Sequence, residues 1–201
     1  MQLPDSLKQA IEEEVDLLNK KDLIRARKDL TDSYRNPQQG RRDPHMGNVA
    51  KRCSYLATRM PATYAAIFFV LQELRLRIPS LQITSLLDLG SGPGTSLWAA
   101  RECFSHLQKA TLLERDAEMV RLGKNLLTKA PFPSAEWVLA DLEKQPSFSP
   151  HDLAVAAYSL GELSADKGIG VALSAFQAAK MLVIIEPGTP LGFQRILQIR
   201  R

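Results

Sequence analysis

The sequence predicts an α/β fold built on a parallel sheet, with a helical extension in front of it. Three observations carry that expectation. From Ile83 onward, short apolar runs alternate with helix-compatible stretches, the pattern of a parallel sheet with crossover helices. The first of those runs, Leu86-Leu87-Asp88-Leu89, breaks into Gly90-Ser91-Gly92-Pro93-Gly94-Thr95-Ser96 and leads into Leu97-Trp98-Ala99-Ala100. The first third of the chain reads as helical instead.

In chain order, Asp5 or Ser6 can cap a helix that runs through about Leu18. Lys21 to Tyr34 is a second, basic helical stretch. Asn36, Pro37, Gly40, Asp43 and Pro44 make residues 36–44 a loop. A helix over 48–60 is expected next, with Pro61 in the first turn of another. Residues 62–77 are rich in Ala, Leu and Phe and bury one face, and Pro79 ends that helix. Strands are expected over 84–89, 110–114, 136–140, 152–158 and 180–186. Helices are expected over 95–106, 116–128 and 165–178. Proline and serine between Leu142 and Pro150 leave a short helix there or none. Residues 1–80 thus form a basic, lid-like helical extension and residues 81–201 a sheet domain.

Composition bounds the function. The chain has 201 residues, 45% hydrophobic and 24% charged, as in an ordinary globular protein. Cys53 and Cys103 make no disulfide framework and no CxxC metal spacing. His45, His106 and His151 are scattered, so no metal site is expected. The apolar run Ala65–Leu71 is too short to span a bilayer, and no membrane partner is expected. The start of the chain, with Glu12-Glu13-Glu14, resembles neither a secretory signal nor a transit peptide, and the expected location is the cytoplasm. Between Arg25 and Arg59, nine basic residues (Arg25, Arg27, Lys28, Arg35, Arg41, Arg42, Lys51, Arg52, Arg59) face three acids (Asp29, Asp32, Asp43). The whole chain is only +4, so this segment holds much of the positive excess. It is either a solvated helix face or a contact for a phosphate backbone.

The glycine turn carries the chemistry. Glycines permit positive φ and let a ligand approach the backbone. The helix that follows offers unpaired N–H groups. The spacing is GxGxG, with Thr95 where the third glycine of a dinucleotide fingerprint would fall. Asp88 would repel a pyrophosphate and suits a cationic ligand. Thr111-Leu112-Leu113-Glu114 reads as a second strand ending in an acid. Glu114 lies about twenty residues past Gly94, where a nucleotide-binding unit places a carboxylate that accepts both ribose hydroxyls. A third strand, Trp137–Ala140, leads to Asp141 and Leu142. Singly, Glu114 and Asp141 could equally be helix caps or solvated turn residues. Three acids at successive strand ends favour a site.

The turn resembles motif I of the class I S-adenosylmethionine methyltransferases. That resemblance implies a Rossmann-like sheet and S-adenosylmethionine as cofactor. It implies contacts from Asp88, Gly90, Ser91, Gly92, Gly94, Thr95, Glu114, Arg115, Asp141, Leu142 and Tyr158, with Asp141 on the adenine amino group. Three further segments are more specific: Tyr55-Leu56-Ala57-Thr58-Arg59-Met60-Pro61-Ala62-Thr63-Tyr64-Ala65-Ala66, Asp152–Leu163, and Ile185-Glu186-Pro187-Gly188-Thr189-Pro190-Leu191-Gly192-Phe193. With motif I they resemble the methyltransferase-like family associated with the small ribosomal subunit, over about residues 45–195. That family has bacterial members and a mitochondrial assembly factor, methyltransferase-like protein seventeen. The resemblance implies a partner in rRNA or the small subunit, not DNA, and a role in methylating or assembling it. It also implies that Arg59 and Tyr64 fold over the cofactor. The family's iron–sulfur cluster is not expected here, since its cysteine ligands have no counterparts. The last strands of the sheet are also missing, which makes the chain either a shortened member or a piece of a longer one.

The acceptor is expected at the C-terminal sheet edge, near Ala157-Tyr158-Ser159-Leu160-Gly161-Glu162. This loop lacks the [Asp/Asn]-Pro-Pro-[Tyr/Phe] motif of amine methylation and the Cys of C5-cytosine chemistry. Tyr158 could stack on a base. Glu162 could act as a general base or cap the next helix. Two readings follow: an active rRNA methyltransferase, or an inactive assembly factor that binds the cofactor or RNA.

Overall fold

Both faces of the sheet are covered, so each inner strand reads as a nearly unbroken apolar run. The computed structural model describes residues 2–16, 49–144 and 147–200. Five parallel strands lie in the order β3-β2-β1-β4-β5. They are β1 (Ser85–Leu89), β2 (Lys109–Glu114), β3 (Ser134–Leu139), β4 (His151–Ala157) and β5 (Ala179–Ile185). The helices are α1 (Asp5–Val15), α2 (Val49–Ser54), α3 (Met60–Arg77), α4 (Thr95–Cys103), α5 (Ala117–Leu127), α6 (Ala165–Ala178) and α7 (Pro190–Ile199). A π turn (Tyr55–Arg59) joins α2 to α3.

Alternation along each strand splits the core in two. Leu86, Leu112, Leu153 and Val155 face one way, onto Leu7 of α1, Met60 and Ile67 of α3, Trp98 of α4 and Leu122 of α5. Leu87, Leu89, Leu113 and Ala156 face the other way, onto Val171, Ala172 and Ala175 of α6. The early helices and the sheet therefore share one core rather than packing separately. Each fully buried leucine or isoleucine contributes about 1.5–3 kcal/mol. After β3 the chain crosses back to place β4 beside β1. The order therefore reverses between β1 and β4, and the C-terminal ends of these strands form a crevice.

All five expected strands are present, each displaced by no more than two residues. The expected strand at 152–158 ends at Ala157, because Tyr158 leaves the extended region with φ +59°. The helix expected over 95–106 stops at Cys103, where Phe104 turns extended and its N–H closes on the Ala100 carbonyl. The helices expected at 48–60 and from Pro61 are one rod, continuous through the π turn. The stretch after β5 holds an unexpected helix, α7. Its signal was local: Thr189 caps it by accepting from the Gly192 N–H at 3.1 Å, and Pro190 occupies the first turn. At the start of the chain, Pro4 rather than Asp5 or Ser6 stands at the cap position, with no side-chain cap bond. The end of the first helix near Leu18, the stretch 21–34, the loop 36–44 and the basic residues Arg25 to Arg42 lie outside the described residues.

Asp152 ties together the far edge of the sheet, away from the crevice. Its Oδ2 accepts from the Thr84 N–H (2.8 Å), the Thr84 hydroxyl (2.6 Å) and the Ser85 N–H (3.1 Å), while Oδ1 meets Lys180 Nζ at 2.7 Å. Burial pushes this carboxyl up, but the Lys180 ammonium and the Thr84 hydrogen bonds outweigh it and hold it below the usual range. A carboxyl depressed in the folded state stabilises above its unfolded value, near pH 4, and that stability drains as pH falls. Asp152→Asn should therefore cost about 2 kcal/mol at neutral pH. Urea melts should show the gap to wild type closing in acid. An equal gap at pH 7 and at about pH 3 would contradict this account.

Candidate functional site

The glycine turn sits at the crevice, and its backbone explains its composition. Gly90, Gly92 and Gly94 have φ of +71°, +52° and +84°. The turn is pinned to β2, because the Gly90 and Ser91 N–H groups both donate to the Leu113 carbonyl at 2.9 Å. A floor lies beneath it: a Cβ on Gly94 would come 3.1 Å from the Trp137 ring, and one on Gly123 would come 2.6 Å from it. The cradle is therefore preformed.

Asp88 is the most unusual group in it. Its side chain is buried, and Oδ2 has no hydrogen-bond partner among the described residues. Burial pushes its carboxyl up to about 7, against a hydrogen bond from Ser96 and with help from the Glu114 charge. Beside it, the Thr95 hydroxyl at the start of α4 is also buried and unpartnered among the described residues. Glu114 stands at the end of β2 and accepts from the Gly92 N–H (2.8 Å) and the Asp116 N–H (2.9 Å). Each bond takes a different oxygen, so each keeps a lone pair for a hydroxyl donor. Asp141 follows β3, and its Oδ1 accepts from the Glu143 N–H at 3.0 Å. Leu142 buries its side chain in the α6-side core, so that side chain is not available to a ligand.

The other wall comes from the end of β4. Tyr158 is half-buried in the left-handed region, where a bulky side chain costs energy. Its N–H is held by the Ile185 carbonyl at 2.8 Å. Burial, then the nearby Glu186 charge, pushes its phenol up. Ser159 packs so closely on Gly90 that a Cβ there would lie 2.5 Å from the Ser159 Cβ. Glu162 does not cap α6, whose cap position is Ser164. It pairs with Arg115 at 3.1 Å, and this ion pair reaches from the β2 side to the β4 side of the crevice. Exposed pairs of this kind are worth about 0–1 kcal/mol and open readily.

Two features escaped the sequence reading, and one expectation is corrected. Glu186, at the end of β5, is almost fully buried; it accepts from the Gly161 N–H at 3.0 Å and lies 3.8 Å from Arg195 of α7. Burial raises its carboxyl, against the Arg195 charge. The pair fixes the Tyr158–Glu162 loop to α7. Tyr55 lies over the turn, its hydroxyl 3.8 Å from where a Gly92 Cβ would stand. Tyr64 does not cover the turn: it is buried in the helical core, stacked on Phe68 at 5.9 Å, within the field of Glu102 and Cys103 at the far end of α4. Arg59 ends the π turn, half-buried. Among the described residues, no group of three or more His, Cys, Asp or Glu is placed to hold a metal ion.

An open glycine cradle, a buried acid, a hydroxyl-accepting acid one strand away and an aromatic wall suit a cationic nucleoside ligand. Residues 49–201 match the family described as mitochondrial small ribosomal subunit Rsm22. The chain belongs to the Rsm22 family. A human relative, the mitochondrial ribosome assembly protein METTL17, is 30% identical over 154 residues, covering 73% of this chain and 34% of that protein. This Rsm22-family chain thus spans about a third of that relative. Among solved structures, the mitomycin 7-O-methyltransferase MmcR aligns with a TM-score of 0.52 at 20% identity, over 87% of this chain and 55% of that one. The plantazolicin methyltransferase BpumL, in complex with a substrate analogue and S-adenosylhomocysteine, aligns with a TM-score of 0.51 at 14% identity, over 84% and 58%. The Rsm22-family fold here is that of the methyltransferases.

Proposed function

We propose that this chain is the S-adenosylmethionine-binding, methyltransferase-like domain of a protein that works on the small ribosomal subunit. The observation that carries the reading is Asp88, a buried carboxylate with an unmatched oxygen beside a preformed glycine cradle. An ammonium group there would satisfy that oxygen and offset the cost of burying its charge. Glu114 keeps lone pairs for ribose hydroxyls, and Asp141 keeps Oδ2 toward an adenine amino group. S-adenosylmethionine would supply a methyl group on a cationic sulfonium. Tyr158 would present its ring to the acceptor, for which rRNA is the candidate, given the family and the name of the human relative.

One observation favours binding without turnover. Glu162 is engaged by Arg115, and the Tyr158 phenol holds its proton more tightly than usual. The Tyr158 phenol is therefore not poised to take a proton from an acceptor, and Glu162 could do so only once its exposed pair with Arg115 opens. Calorimetric titration tests the cofactor reading: S-adenosylmethionine and S-adenosylhomocysteine should bind in the micromolar range, about −8 kcal/mol. Gly92→Arg, which fills the cradle, should abolish both. A wild-type chain that binds neither would refute the reading. Labelled cofactor with purified small subunits then separates the two roles, since transfer of label marks an enzyme and retention of cofactor without transfer marks an assembly factor.

A further inference from the structure

The rod from Val49 to Arg77 contains a fault that has a cause in the sequence. Pro61 carries no N–H, so the Ala57 carbonyl has no donor four residues on. The ladder shifts instead, and the Met60 N–H bonds to the Tyr55 carbonyl, five residues back. Thr58 strengthens the shift, its hydroxyl donating to the Ser54 carbonyl at 2.7 Å. One extra residue in a turn rotates everything before it by about 100° about the helix axis relative to an unbroken α-helix. The turn is anchored on both sides. Leu56 and Met60 are fully buried, and Arg52 on α2 reaches Glu118 of α5 at 3.3 Å. Within this frame the Tyr55 hydroxyl is brought to the Gly92 face of the cradle. Single π turns inside α-helices recur at functional sites because they re-aim one side chain.

We infer that Tyr55 contacts the ligand of the glycine turn, and that the Pro61-dependent π turn aims it there. This rests on the cofactor reading above and adds a residue from the helical extension to it. Asp88 offers a negative acceptor suited to an ammonium. The Tyr55 phenol offers a neutral donor suited to a carboxylate. Together they match the two charged groups of an amino-acid end, which a plain nucleoside lacks. The ligand class is therefore an adenosyl amino acid.

The test is titration of the whole chain with S-adenosylhomocysteine, run beside thermal melts. Tyr55→Phe should weaken binding about five- to tenfold, the worth of one hydrogen bond, in a chain that the melts show still folded at the titration temperature. Pro61→Ala restores the missing N–H and allows the α-ladder to close. Closing it rotates buried Leu56 and Arg52 off their partners, so binding should weaken at least as much and the melting temperature should fall. Phe69→Ala, on an exposed position of α3, should leave affinity alone. Unchanged affinity in Tyr55→Phe, with the variant folded at the titration temperature, overturns the contact role of Tyr55. Unchanged affinity in Pro61→Ala overturns the role of the π turn. A wild-type chain that does not bind refutes the cofactor reading itself, and this inference with it.

Discussion

Gly90→Ala should be the most damaging single-methyl change in the cradle, costing about 3 kcal/mol of stability and removing cofactor binding. Two independent penalties meet there. At φ +71° an L-residue is strained. The new Cβ would also stand 2.5 Å from the Ser159 Cβ, an atom fixed to the backbone. Neither side can yield cheaply. Gly90 is held by the Leu113 carbonyl, and the adjoining Tyr158 by the Ile185 carbonyl. Relief requires the β1 and β4 ends to separate, which opens the crevice. The other glycines make the contrast. At Gly94 the nearest atoms belong to the Trp137 and Leu112 side chains, at 3.1 and 3.3 Å, and these can shift. At Gly92 only the Tyr55 hydroxyl is near, at 3.8 Å. Urea melts of the three alanine variants should rank Gly90 worst, then Gly94, then Gly92. Equal losses would show that positive φ alone sets the cost.

That ranking could not be read from the sequence, although the turn could. The glycines, the apolar runs and the acids at strand ends are local signals, set by strand period and turn chemistry, and they located the crevice. What the sequence hides is pairing across distance. Glu162 looked like a base or a cap because its neighbours along the chain are loop residues; its actual partner, Arg115, lies 47 positions away. Tyr64 looked like a lid residue, but helix phase turns it inward, and the π turn presents Tyr55 instead. That shift follows from Pro61 and Thr58, yet only a structure shows which carbonyl the ladder skips to. Leu142 sits in the right segment for a ligand contact, but its side chain fills the core. The α7 helix was legible in Thr189-Pro190, but the prolines of the Glu186–Pro190 stretch masked its cap.

Asp88→Asn should move stability and binding in opposite directions. The substitution keeps the shape and removes the charge. In the folded chain Asp88 is buried beside Glu114, and its carboxyl titrates near 7 rather than at its ordinary 3.8. The sign follows directly. Between those two values the folded state holds a proton that the unfolded chain has lost, so the ionised group destabilises the fold progressively as pH rises. Removing it should stabilise the unliganded protein on the order of 2 kcal/mol at pH 8, after allowing for an amide that also lacks a full set of partners. The gain should shrink as pH falls through about 7 and be gone by about pH 5, because the penalty on wild-type Asp88 fades toward 4 while the cost of the amide does not change with pH. Binding goes the other way. A neutral amide cannot match an ammonium, and loss of a buried charge-assisted bond should weaken S-adenosylmethionine about a hundredfold. Melts at pH 8 and pH 5, with titrations at pH 8, check all three expectations. A less stable variant would mean that Asp88 is a structural acid with a partner in the fold. A stabilised variant with undiminished affinity would mean that the ligand's cationic group lies elsewhere. Only stability gained with affinity lost fits a residue kept charged at the fold's expense for a ligand.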